Sequence, residues 1–218
     1  MRLIKIKNSK EEIVIGKIVC VGRNYAEHAT ELGNEIPQKP VAFIKPASAV
    51  IYSGDTIKYP TFSNEMHHEV ELVLLIGENV KDASEKEAEK FIVGYGVGLD
   101  MTLRDVQSKL KSKGHPWTIA KCFDTSAVLS DFVLKDNFKL SLDEKIYLKV
   151  NDEVRQKDKL NKMIFKPAEL VQYLSSLMTL EKGDLIFTGT PKGVGKVNRG
   201  DVLNAGIGGL AELTVSVE

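Results

Sequence analysis

The run HHEVELVLLIG constrains this 218-residue chain more than any other segment. From Leu72 to Ile76 every residue is apolar, so a strand there has both faces buried. Only a sheet covered on both sides accommodates such a strand. Glu69 and Glu71 stand at its front, two residues apart, and on a strand they face the same way. Two like charges at the mouth of a buried strand repel and are poorly solvated, so a proton or a cation must neutralise them. A hard divalent cation is the simplest neutraliser.

A third carboxylate has a similar setting. In FIVGYGVGLDMT, bulky residues alternate with Gly94, Gly96 and Gly98, and on a strand these glycines share a face with Asp100. A glycine-lined face admits another backbone or a ligand. Asp100 then ends the strand before a helix, with Thr102 and Asp105 spaced as a capping box. Glu69, Glu71 and Asp100 make an all-oxygen set, which suits Mg²⁺, Mn²⁺ or Ca²⁺ and not a structural zinc. The same residues also read as an exposed glutamate pair and a helix-capping aspartate. A zinc site of His67, Glu69 and Glu71 ranks lower, because it leaves Asp100 without a role.

Lysine plus arginine and aspartate plus glutamate balance at 30 each, so the charge gives nucleic acid or an anionic membrane nothing to attract. No apolar stretch is long enough to span a bilayer. Cys20 and Cys122 form no CxxC pattern and read as free thiols in a reducing compartment. MRLIKIKNSKEE lacks a signal-peptide core and is too acidic for a transit peptide, so the cytoplasm is expected.

Short strands dominate the pattern: Ile18–Gly22, Val41–Lys45, His67–Gly77, Ile92–Leu99, Ala127–Leu134, Lys145–Val150, Asp184–Thr188 and Leu213–Val217. Asn151-Asp152 reads as a hairpin turn. Pro167 opens the clearest helix, with Leu170, Val171, Tyr173, Leu174, Leu177 and Met178 on its apolar stripe and Gly183 past its end. A shorter helix is expected from Asn24 to Leu32, with Asn24 as N-cap and Glu27 at the third position, and another after Thr102. There is no regular βαβα alternation, so a mostly β, α+β fold is expected, as a single domain over residues 1–218.

Several residues outside the carboxylate set bear chemistry. Asp100, Arg104 and Gln107 fall on one helical face, although a solvated helix face has the same pattern. His28 and Glu31 are helical neighbours, and a carboxylate beside a histidine orients its ring as in a general-base dyad. Exposed pairs of this kind are usually idle, and the polar GRNYAEH around this one suits a mobile lid. Lys121, on a strand with Trp117, Ile119 and Phe123, reads either as an anion anchor or as a lysine whose head reaches water. GTPKGVGKV is not a Walker A loop, since Val197 follows Lys196. Its backbone N–H groups and Thr190 suit a carboxylate, and a plain turn between strands looks much the same.

Taken together, VGRNYAEHATELG, PVAFIKPASAVI, HHEVELVLLIG, GYGVGLDMTLRDVQ, PWTIAKCFD, MIFKPAELVQYLSSLMTLEKGDLIFTGTPKGVG and GLAELTVSVE resemble the fumarylacetoacetate hydrolase family, in its short acylpyruvase-like form. The resemblance spans nearly the whole chain. It implies a mixed β-sandwich or roll with few helices, and a homodimer. It implies that Glu69, Glu71 and Asp100 hold Mg²⁺ or Mn²⁺, that His28 and Glu31 activate water from a flexible lid, and that Lys121 is the active-site lysine. Arg23, Arg104, Gln107 and Thr190 match positions that hold a small 2-keto acid substrate. After FDT this chain reads SAVLS, where many relatives have a Pro-Gly-Pro-type turn. The implied activity is hydrolysis of a carbon–carbon bond in acylpyruvates, releasing pyruvate through an enolate on the metal. Oxaloacetate decarboxylation or tautomerisation, and isomerisation of 2-hydroxyhepta-2,4-diene-1,7-dioate, pass through the same enolate. A non-catalytic module binding a metal or small anion is the reading from another class.

Overall fold

The computed structural model describes residues 1–218 and is mostly β, with few helices. Its centre is an eight-stranded mixed sheet. The main path runs in the order Val41–Lys45, Ile18–Gly22, Leu185–Phe187, Val70–Ile76, Ile92–Asp100, Ala127–Leu129, Val50–Tyr52, and Val133–Leu134 joins Ile92–Asp100. Two of its pairings are parallel, Ile18–Gly22 with Leu185–Phe187 and Ala127–Leu129 with Val50–Tyr52.

Both faces of this sheet are covered, as the apolar run of Leu72–Ile76 requires, and every residue of Val70–Ile76 is buried. One face carries Leu72, Leu74, Val97 and Leu99 into the larger core. That core is shared with a five-stranded sheet of Glu153–Lys159, Lys145–Val150, Val202–Ile207, Ala211–Val217 and Thr56–Ile57. The other face carries Val73, Leu75 and Phe187 into a smaller core, closed by Ile4, Ile6, Ile13 and Ile15 from the Leu3–Lys5/Glu12–Val14 hairpin and its flanks. Glu71 pairs with Gly98 and Asp100 with Ala127, so these carboxylates continue the smaller core's face to its end.

The glycine-lined face of Ile92–Asp100 is filled by the chain's own side chains and not by a ligand. A Cβ on Gly98 would stand 2.5 Å from the Phe187 ring and 2.7 Å from Val73, and one on Gly96 would stand 3.1 Å from Phe132. The glycines let two aromatic rings approach the sheet closely. Asn151 and Asp152 both take left-handed φ values of 49° and 67°, as a tight hairpin turn requires.

Other expectations change in detail. The expected His67–Gly77 strand breaks at Glu69 into Met66–His68 and Val70–Ile76, so the first piece joins a separate three-stranded sheet. The Pro167–Leu177 helix buries Leu170, Val171 and Leu174, but Leu177 is exposed. Gly183 serves the entry to Leu185–Phe187 and not the helix end. Its φ is 90° and a Cβ there would meet the Val14 carbonyl. The short helix is Ala26–Glu31, and Asn24 does not cap it. Instead the buried Asn24 side chain donates to Thr188 O at 2.7 Å and Phe165 O at 2.9 Å, and accepts from Phe165 N at 2.7 Å. Asp105 is not a capping-box partner of Thr102 either. It accepts from Ser63 and Asn64 and fixes that loop.

Gly98→Ala forces a methyl group between Phe187 and Val73. Overpacking of this kind costs about 1–3 kcal/mol. The variant is expected to melt several degrees below the parent in thermal denaturation followed by circular dichroism. An unchanged midpoint would show that the close approach of Phe187 has no energetic weight.

Candidate metal centre and active site

Glu69, Glu71 and Asp100 are each at most 5 % exposed, and a ligand oxygen from each lies within 4.8 Å of the others. Burying three carboxylates together demands positive charge, and three cations supply it. Lys121 Nζ uses all three of its protons, donating to Glu69 at 2.8 Å, Asp100 at 2.7 Å and Thr102 Oγ1 at 2.6 Å. Arg104 forms an ion pair with Glu69 and donates to Gln107 Oε1 at 2.7 Å. Lys45, fully buried, stands 2.8 Å from Asp100 Oδ1 and donates to Ser126 Oγ at 3.0 Å and to the carbonyl of Lys121.

Lys121 therefore does not sit on a strand with its head in water. It ends the short Thr118–Lys121 helix, which leaves Ile119 exposed and turns Lys121 inward. Burial opposes its charge, but Asp100 and Glu69 outweigh burial and hold the ammonium above the ordinary lysine range. Lys121 acts as a fixed charge and not as a base. Lys45 is a residue that sequence reasoning missed. The one signal was the alternation of VAFIKP, which puts Lys45 on the face of Val41 and Phe43.

The two glutamates differ. Burial alone would push Glu69 up, but Lys121 and Arg104 outweigh it and hold the carboxylate well below its usual range. Glu71 is pushed up by burial, then by Asp100 and Glu69, and its single hydrogen bond comes from Gly189 N at 2.6 Å. Asp100 Oδ1 is buried without an aligned hydrogen bond. A proton-hungry Glu71 and an under-bonded Asp100 oxygen in an all-oxygen cluster fit a hard divalent cation. His67 turns to Glu65 at 3.1 Å and His68 to Gln156 at 2.9 Å, so the His/Glu/Glu zinc arrangement does not form.

The glycine-rich segment spends its backbone donors on the protein's own carboxylates. Gly189 N serves Glu71, and Gly193 N donates to Glu31 at 3.0 Å. Both glycines have positive φ, 97° and 94°, and a Cβ on Gly193 would strike the Arg155 carbonyl. Glu31 in turn meets His28 Nδ1 at 3.1 Å, with His28 buried. The donor to Glu31 is Nδ1–H, which leaves the Nε2 lone pair free as a base.

Of the remaining candidates, Arg23 is half-buried at φ 59° and forms no ion pair or hydrogen bond within the protein. Its guanidinium is thus uncommitted. Thr190 is 4 % exposed and follows directly on Gly189. Asp100, Arg104 and Gln107 do not share a helix, because Asp100 ends a strand and the helix begins at Arg104. An apolar cavity of about 350 Å³ lies beside Lys121, lined by Val41, Phe43, Ile44, Trp117 and Cys122 among others.

The curled sheets thus enclose a buried acidic triad suited to a divalent cation, with the His28–Glu31 pair in the same part of the fold. Residues 17–218 match the Fumarylacetoacetate (FAA) hydrolase C-terminal family, and the chain belongs to that family. It is 50 % identical over 206 residues to a mitochondrial oxaloacetate tautomerase of Arabidopsis thaliana, covering 93 % of this chain and 91 % of that protein. It is 49 % identical over 195 residues to a mitochondrial oxaloacetate decarboxylase of Dictyostelium discoideum, covering 89 % of each. Among solved structures it resembles fumarylpyruvate hydrolase from Pseudomonas aeruginosa, in complex with Mn²⁺ and pyruvate. The TM-score is 0.95 at 40 % identity, over 99 % of this chain and 95 % of that one. No helix is long and apolar enough to cross a membrane. The first two relatives are mitochondrial by name, so the cytoplasmic expectation gains no support from them.

Two substitutions should move the metal-free protein in opposite directions. Above the ordinary carboxylate value of 4.5, Glu71 ionises in the unfolded chain but resists ionising in the fold. Its contribution to stability is thus present at lower pH and is lost as pH rises toward its raised value. Glu71→Gln removes that loss, so the chelator-treated variant is expected to melt above the parent, increasingly so as pH rises above 4.5. Lys121→Met leaves Glu69 with Arg104 alone and Asp100 with Lys45 alone, and is expected to cost about 3–5 kcal/mol in the same melts. Equal midpoints for parent and Glu71→Gln across that range would mean that the triad is not under strain.

Proposed function

We propose that this chain is one catalytic domain, residues 1–218, that binds Mg²⁺ or Mn²⁺ through Glu69, Glu71 and Asp100 and acts on small 2-oxo acids. The main reaction is hydrolysis of acylpyruvates, of the fumarylpyruvate type, to pyruvate and a carboxylic acid. The observation that carries it is the buried acidic triad with the His28–Glu31 pair nearby. The bound cation supplies Lewis-acid stabilisation of negative charge on the 2-oxo acid's enolate oxygen.

The chain's own residues do the rest. Arg23 and the Thr190 hydroxyl hold the substrate carboxylate, and Arg104 and Gln107 complete the anion-binding wall. His28 Nε2 takes a proton from water as its oxygen bonds to the distal carbonyl carbon. When the carbon–carbon bond breaks, its electron pair passes to the pyruvate fragment as the enolate, and a proton returns to its carbon. Lys121 and Lys45 hold Glu69 and Asp100 in place.

Oxaloacetate tautomerisation or decarboxylation is the second reading, favoured by the sequence relatives of that name. Both use the enolate, but neither needs water added to a distal carbonyl. A homodimer and a cytoplasmic location complete the proposal. Two unpaired cysteines support a reducing compartment, and exposed Phe62 and Ile119 in one groove support association of copies.

Pyruvate release from acetylpyruvate and fumarylpyruvate, and conversion of oxaloacetate, are to be compared with Mg²⁺, with Mn²⁺ and with chelator. The main reading expects kcat/KM to be highest for an acylpyruvate and to vanish with chelator. If only oxaloacetate is turned over, the second reading replaces it. His28→Ala is expected to lower kcat for acylpyruvates by about 10²–10⁴-fold. It should leave oxalate affinity within about a few-fold, because binding does not use the base. Parent-rate hydrolysis by His28→Ala would reduce the pair to a surface contact.

A further inference from the structure

The strand Glu153–Lys159, EVRQKDK, is charged and solvated along nearly its whole length, yet Gln156 within it is fully buried. All four hydrogen-bonding positions of its amide are used. Oε1 accepts from Val70 N at 3.1 Å and from His68 Nδ1 at 2.9 Å. Nε2 donates to Pro191 O and to Thr190 Oγ1, both at 2.8 Å.

Two of these partners are backbone groups whose roles are fixed. Val70 N–H can only donate and Pro191 O can only accept, so the amide has one orientation. It follows that Nε2 presents its second proton to Thr190 Oγ1, which must accept. The Thr190 hydroxyl has no other partner in the protein. Its own proton is therefore left for an acceptor outside the protein. The chain position of that hydroxyl puts it beside the triad, because the preceding residue, Gly189, donates to Glu71.

We propose that Gln156 is a positioning residue that sets Thr190 as an obligatory hydrogen-bond donor to the substrate's carboxylate. His68 belongs to the same device. Its Nδ1–H donates to Gln156 Oε1, because that amide oxygen can only accept. The strand that carries Gln156 thus meets the site at the Thr190 hydroxyl and at the backbone of Val70, between Glu69 and Glu71. This inference rests on the reading of Thr190 as a contact for the 2-oxo acid.

Oxalate, which mimics the chelating end of the enolate, is the probe, titrated calorimetrically into Mn²⁺-loaded protein so that no turnover is needed. Thr190→Val is expected to weaken oxalate by about ten- to a hundredfold, and Thr190→Ser to stay within about a few-fold of the parent. Gln156→Met should weaken oxalate by about tenfold in the parent. In Thr190→Val it should add less than about twofold, because the hydroxyl it directs is gone. Should Gln156→Met not fold, the isosteric Gln156→Glu serves the same cycle. A carboxyl carries at most one proton, which Pro191 O takes, so it draws the Thr190 hydroxyl toward itself. Whatever charge it carries acts in both backgrounds and cancels. A purely structural Gln156 would weaken oxalate equally with and without the Thr190 hydroxyl, and that result overturns the inference. Unchanged oxalate binding in Thr190→Val overturns the Thr190 contact and the inference with it. Failure of the functional reading is read separately, as absent turnover in a parent that still binds oxalate.

Discussion

Taking Glu69, Glu71 and Asp100 out of water is unfavourable, and much of the structure answers that single cost. The carboxylates sit at the end of a sheet buried on both faces, where solvent cannot screen them. Lys45, Lys121 and Arg104 reach them from an edge strand, a short helix and the start of a longer helix. Lys45 also donates to the backbone carbonyl of Lys121, so two of the three cations are fixed to each other as well as to Asp100. The edge strand is thereby tied across the sheet to the strand that ends in Asp100.

The glycine-rich segment after Leu185–Phe187 plays a matching role with uncharged donors. Gly189 and Gly193 need left-handed φ values and close approach, and each delivers an N–H to a glutamate. One of those glutamates belongs to the triad and the other orients His28. A single turn therefore fixes the spacing between the acidic triad and His28. Asn24 adds a third tie, joining the segment before the His28 helix to Phe165 and Thr188. The helix is thus anchored at its base by Asn24 and at its tip by Gly193.

The fold was legible in the sequence wherever burial and period agreed. The strands Ile18–Gly22, Val41–Lys45 and Lys145–Val150 fall where the pattern puts them, and the Asn151-Asp152 turn does too. The triad was legible because carboxylates fronting an all-apolar strand can be neutralised in only a few ways. What escaped was set by tertiary contact. Lys121 lies in a helix of only four residues, too short to leave a period. Lys45 and Gln156 look like solvated residues, and only the curl of the sheet and the packing of the Glu153–Lys159 strand bury them. Asn24 resembles a helix cap in spacing, but three backbone groups from distant segments outcompete the cap for its amide.

Once a cation displaces the proton of Glu71, three carboxylates stand against three cations and the cluster's own charges cancel. A divalent ion added to a neutral cluster makes it doubly positive, in surroundings where charge is weakly screened. The 2-oxo acid end of a substrate carries one negative charge as the ketone and two as the enolate. The second form cancels more of the cluster's charge. The balance of fixed charges thus favours the enolate over the resting ketone, so part of the selectivity between ground and reactive forms is written in a sum of integers and needs no contact to the reacting carbon.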